Sequence, residues 1–159
     1  MAKTRQLQDI DNKFKYLKTI DLSYPLKLAI FYGQLEVIKL HKDIISRNKS
    51  TIVCELTHLG HLDILQYFIN HLSVIPSERL LHIASTAGHL LIVKWLHEER
   101  KINLTVPLQD KDKHTNYLVW ILRKGHLHIA EWLTGKPSGT SVLAEAKRTT
   151  HLKKNNPSH

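Results

Sequence analysis

Twelve histidines and a single cysteine, Cys54, are the residues in this chain whose chemistry could be metal-binding or catalytic. His58 and His61 stand three apart and His126 and His128 two apart, and zinc binds where three or four such ligands converge. Their wider placement points elsewhere. His61, His89 and His126 each follow a glycine and open a Gly-His-Leu run. They are therefore one position used three times, spread along the chain rather than gathered in one place. Neither a metal nor a cofactor is expected. The lone cysteine excludes an intramolecular disulfide and a cysteine-only zinc site. Cys54 lies in TIVCELTHLG with no nucleophile elbow around it, and free cysteine is among the most buried residue types, so a core role is expected. No phosphate loop, dinucleotide fingerprint, Gly-x-Ser-x-Gly elbow or His-Glu-x-x-His helix is present. Asp63, Glu98 and Glu99 fall at solvated positions without a pairing. The chain carries no catalytic constellation, and a non-enzyme is expected.

The aromatics recur too. Tyr67, Trp95 and Trp132 each stand seven residues after a glycine, with Leu40 as the counterpart in the first copy. A base-stacking ladder is one use of such a series. Inter-repeat core is the stronger expectation.

The elements that hold these residues are repeats. Four ten-residue segments end in glycine: 24–33 (YPLKLAIFYG), 51–60 (TIVCELTHLG), 79–88 (RLLHIASTAG) and 116–125 (NYLVWILRKG). Each is followed by a related block: QLEVIKL, HLDILQYF, HLLIVKWL and HLHIAEWL. The glycines are 27, 28 and 37 residues apart. Leu62, Ile64, Leu65, Phe68 and Ile69 in the second copy, and Leu90, Ile92, Val93 and Leu96 in the third, form the stripe of a helix with one buried face. Glycine at the end of the first block fits a helix C-terminus, where a positive φ costs little. Each unit reads as helix, turn at glycine, helix. One pair cannot bury its apolar faces alone, and stacked pairs form a solenoid.

These units resemble the ankyrin repeat, whose core pattern is T-P-L-H-x-A-A-x-x-G-H-L-x-[VI]-V-x-x-L-L. Pro25, Leu26 and Ala29 match it in the first copy. Leu81, His82, Ala84 and Gly88-His89-Leu90 match in the third, and Thr115, Leu118 and Gly125-His126-Leu127 in the fourth. The resemblance implies an all-α solenoid of about four repeats, at about 23–49, 50–77, 78–104 and 105–135. It also implies a backbone hydrogen bond for His82. An ankyrin unit has about 33 residues, so spacings of 27 and 28 imply short loops without full fingers at the first two junctions. The third junction is longer and finger-like, with Lys113 and Asn116 where the family has glycine and proline. The second copy is the most divergent, with Cys54 and Leu56 at consensus positions, and local opening is expected there first.

Leu7, Ile10, Phe14 and Leu17 suggest an N-terminal capping helix within residues 1–22. After a turn-rich linker, residues 136–159 read as a basic helix and tail. The formal charge of +9, from 23 Lys and Arg against 14 Asp and Glu, is uneven. Residues 1–18 carry +3 and 136–159 carry +4, leaving +2 on the body. No run approaches the roughly 20 apolar residues of a membrane span, and no signal peptide is legible. A cytoplasmic protein without a membrane partner is expected, and a monomer.

In the ankyrin family partners lie against the fingers and the two positions before each glycine. The resemblance therefore implies partner contacts at Phe31, Tyr32, His58, Leu59, Thr86, Ala87, Arg123 and Lys124, and at the finger-tip residues Lys111, Asp112 and His114. The surface would grade from apolar at the first copy to cationic at the fourth. The expected function is protein–protein interaction, with nucleic-acid binding through the basic termini as the alternative. Gly-His-Leu units followed by Trp-Leu or Tyr-Phe resemble those of intracellular bacterial effectors, large DNA viruses and some protists. That likeness implies a host protein as target and the host cytosol as location.

Overall fold

A computed structural model describes residues 2–102 and 117–135. The expected finger tip (Lys111, Asp112, His114), the turn at Lys113 and Asn116, and the tail at 136–159 lie outside the described residues. Within them the chain is helical, with nine helices and no strand. These are α1 (Ala2–Lys13), α2 (Tyr24–Tyr32), α3 (Leu35–Leu40), α4 (Lys42–Leu59), α5 (Leu62–His71), α6 (Glu78–Ala87), α7 (Leu90–Glu98), α8 (Tyr117–Arg123) and α9 (Leu127–Thr134). The chain divides into two compact units, Met1–Ile83 and Ala84–His159.

The glycine turns recur with one geometry. Gly33, Gly60, Gly88 and Gly125 all have positive φ, at 70°, 89°, 91° and 81°. In each turn the amide after the glycine donates to the carbonyl five residues back: Gln34 to Ala29, His61 to Leu56, His89 to Ala84 and His126 to Ile121, at 2.8–3.1 Å. This is the left-handed termination that satisfies otherwise orphaned carbonyls. The residue after the glycine then starts the next helix, its carbonyl accepting the first helical bond.

In the first unit α1 packs on α2, α2 on α3 and α4, and α4 on α5. The helix α4 runs across the expected repeat boundary. A ten-residue block was expected at 51–60, with a loop before it. Instead one helix of 18 residues runs from Lys42 to Leu59, and His41 alone separates it from α3. The expected boundary at 49–50 falls inside this helix. No glycine or proline interrupts 42–59, so nothing stops the helix from reaching back. Its second half is buried on every side, from Ile52 through Thr57. Phe68, Ile64 and Leu65 of α5 expose no surface. Each such side chain contributes about 1.5–3 kcal/mol of burial. Burial of this extent weighs against the second copy opening first, and amide exchange over residues 51–72 tests it. Leu72–Ser77 connects α5 to α6 without helix or strand.

The N-terminal stripe also differs from a single helix. Ile10, Phe14 and Leu17 are buried as expected, the last two at 1% exposure. Yet α1 stops at Lys13, and 14–20 bends. The cause is Glu55, fully buried on α4. Its carboxylate accepts from three successive backbone amides, those of Lys15 (3.0 Å), Tyr16 and Leu17 (3.0 Å). A helical backbone would turn these donors to its own carbonyls. The carboxylate instead holds them in a nest, which satisfies a buried charge.

In the second unit α7 packs on α9 and α8 on α9. Among its described residues Ala84, Ser85, Ile92, Val93, Trp95, Leu96, Ile121, Ile129 and Ala130 are buried. The shared position seven after glycine is not uniformly core. Trp95 is buried, Tyr67 and Trp132 are half-buried, and Leu40, at the end of the short α3, is 82% exposed.

Candidate partner-binding surface

The histidine after the glycine has a use beyond starting a helix. His61 Nε2 lies 3.0 Å from the Phe31 carbonyl, and His126 Nε2 lies 3.1 Å from the Thr86 carbonyl. Each accepting residue stands two before a glycine, so each histidine donates to the turn of the preceding copy. The rings also lie against the glycines themselves. A Cβ on Gly33 would meet His61 Nδ1 at 2.7 Å, and one on Gly88 would meet His126 Cε1 at 2.6 Å. The glycine therefore serves two needs, a left-handed turn and room for the next copy's imidazole.

This interlock fixes the residues before each glycine. In the first unit it sets Phe31 and Tyr32 beside the start of α5. Phe31 is half-buried, edge-on to Phe14 at 6.0 Å and to Tyr32 at 5.1 Å, with the Lys13 ammonium 5.3 Å from its ring. The N-terminal segment thus covers Phe31 and leaves Tyr32 62% exposed. His58 and Leu59 are half-buried at the end of α4. His58 meets Tyr16 edge-on at 6.0 Å. In the second unit the interlock holds Thr86 and Ala87, both half-buried, beside the turn that follows α8. Arg123 and Lys124 are exposed there, and Trp120, one turn earlier on α8, is 45% exposed.

The sequence reading passed over Lys13, Lys15, Tyr16 and Arg79, which surround the first-unit positions. The Tyr16 ring has the Lys15 ammonium at 5.4 Å and the Arg79 guanidinium at 6.0 Å from its centroid. Burial pushes the Tyr16 hydroxyl pKa up; the proximity of Cys54 and Glu55 adds to the rise, and Arg79 opposes it. Burial likewise raises the Cys54 thiol, which keeps it protonated and unreactive at neutral pH. The surface was legible only as a cluster of N-terminal lysines. The apolar end of the expected gradient is therefore basic as well.

His82 lies on α6, and burial lowers its pKa from 6.5, with Lys15 adding to the effect. The folded state favours the neutral ring, so as pH falls the unfolded chain takes up the proton first. The stability this residue contributes is full above about 6.5 and declines as pH drops toward the folded value. Urea midpoints measured between pH 7.5 and 5.5 are expected to fall less in His82→Gln than in the wild type. Parallel profiles would contradict this.

Among the described residues no three histidine, cysteine or acidic side chains gather to hold a metal, and no helix is long and apolar enough to cross a membrane. The geometry defines a helical protein of glycine-terminated helix pairs with exposed basic and aromatic side chains near the turns. No protein-family model, curated protein or solved structure matches the chain.

Proposed function

We propose that the chain is a non-enzymatic ankyrin-like repeat module, a solenoid of helix pairs that grips a segment of another protein beside its glycine turns. The observation that supports this reading is the interlock of glycine and histidine. It appears at Gly33 with His61 and again at Gly88 with His126, in the same register. An interlock of this kind joins copy to copy through backbone carbonyls and spends the histidines on architecture. Beside the turns stand side chains suited to recognition, Tyr32 in the first unit and Arg123 and Lys124 in the second. Exposed tyrosine and arginine are the residue types that dominate binding energy at protein interfaces.

The test is affinity capture followed by mass spectrometry, comparing the wild type with Tyr32→Ala/Arg123→Ala/Lys124→Ala, which leaves His58 on Tyr16. Phe31 is left intact because it packs on Phe14. The variant is expected to keep its thermal melt and lose its captured partner. Undiminished capture by a folded variant would sink the reading.

A further inference from the structure

We infer that the partner segment seated on the first unit is acidic, and that Lys15, Arg79 and Lys13 recognise its carboxylates around an anchor at Tyr32; this rests on the protein-binding reading above. Three observations carry it. The first is charge left open. Lys27 is neutralised by Asp11 at 2.9 Å and Lys39 by Glu36 at 2.7 Å. Lys13, Lys15 and Arg79 are exposed and make no ion pair among the described residues. The carboxylate nearest the Lys15 and Tyr16 backbone, that of Glu55, is spent on amides.

The second observation is preorganisation. The three cations do not hang free, because each lies over an aromatic ring: Lys13 over Phe31, and Lys15 and Arg79 over Tyr16. Tyr16 and Lys15 are in turn held by Glu55 through their backbone amides. Side chains already ordered lose less entropy on binding. The third is the state of the rings. A reader of single-stranded nucleic acid needs open aromatic faces on which bases stack. Here Phe31 and Tyr16 are half-buried, and the protein's own cations already lie over them. The rings serve as platforms for ammonium and guanidinium groups, and Tyr32 remains as an apolar anchor. That pairing fits a peptide with carboxylates beside an apolar or aromatic residue, and charge complementarity of this kind sets partner choice.

The experiment uses the full chain and three fluorescein-labelled probes: a short peptide of glutamate and tyrosine, the same peptide with glutamine for glutamate, and oligothymidylate. Anisotropy is read for the wild type, Lys15→Gln/Arg79→Gln and Arg123→Gln/Lys124→Gln. The first pair is solvent-exposed, so the variant is expected to stay folded, with a melt lowered only slightly by the loss of the two contacts to Tyr16. The acidic peptide is expected to bind in preference to the other two probes. Its affinity is expected to drop on the order of tenfold in Lys15→Gln/Arg79→Gln, with a smaller change in Arg123→Gln/Lys124→Gln. Equal binding of the glutamine peptide, preference for oligothymidylate, or indifference to loss of Lys15 and Arg79 overturns the inference. Repeating the lysate capture separates the two readings. A partner lost with Tyr32→Ala but kept by Lys15→Gln/Arg79→Gln leaves a protein-binding module whose partner is not acidic.

Discussion

Glu55→Ala is expected to cost about 3–4 kcal/mol of stability, which is large against the 5–15 kcal/mol typical of a domain. The side chain has no exposed surface and its carboxylate serves three amides. Truncation leaves those donors facing a void, and each buried donor left unpaired costs about 1–3 kcal/mol, less what entering water recovers. Glu55→Gln keeps the volume but replaces one acceptor oxygen by a donor that opposes an amide, so an intermediate loss is expected. Urea titration measures the loss. Amide exchange locates it, with Lys15, Tyr16 and Leu17 expected to lose protection before α4 and α5 do. A loss below about 1 kcal/mol in Glu55→Ala would mean that the nest contributes little.

Gly33→Ala is the second large effect, and Gly125 supplies its control. Both glycines have left-handed φ, at 70° and 81°. Placing a Cβ in that conformation costs about 1–2 kcal/mol. At Gly125 nothing lies within 4 Å of the added atom, so Gly125→Ala should cost no more than that. At Gly33 the added atom meets the His61 ring at 2.7 Å. The ring must move, and with it goes the bond to the Phe31 carbonyl, worth about 1 kcal/mol, so a total of about 3–4 kcal/mol is expected. Gly33→Ala/His61→Ala should cost less than the sum of the two single changes, by about 1–2 kcal/mol, because removing the ring removes the collision. Chemical denaturation of the four variants measures these terms. Equal losses at Gly33 and Gly125 would show that the ring contact is unimportant.

Most of what recurs in this architecture was legible in the sequence, and of what occurs once only part was. Gly-His-Leu announced itself by repetition, and its turns and helix starts lie where the repeats put them. Of the stripe Leu62, Ile64, Leu65, Phe68 and Ile69, the last four are buried as their spacing required, and Leu62, at the start of α5, is half-buried. The reach of α4 lies beyond the glycine-bounded block that repeats; the absence of any breaker between Lys42 and Thr51 is its signal in the sequence. Glu55 left none. Its partners are 38 to 40 residues away and are backbone amides, which carry no residue identity. The burial of Leu17 was legible from spacing, but not the bend that achieves it, since Phe14 and Leu17 fit a helical stripe equally well. At the candidate surface Tyr32, Arg123 and Lys124 were found by register. Arg79 was not, because its importance comes from a ring in another element.

The one-residue link at His41 between α3 and α4 bears on how this chain can change length over evolution. Because α4 is continuous with almost no slack before it, one residue inserted between Lys42 and Thr51 would turn its second half by about 100° against its first. Glu55 would swing away from the Lys15–Leu17 amides, and the buried run Ile52–Thr57 would present a different face. Only steps near a whole turn preserve the contacts. The loop-like Leu72–Ser77 connection has no such quantum, since its residues carry no helical phase. Insertions and deletions in descendants of this sequence should therefore collect at 72–77 and be purged within α4.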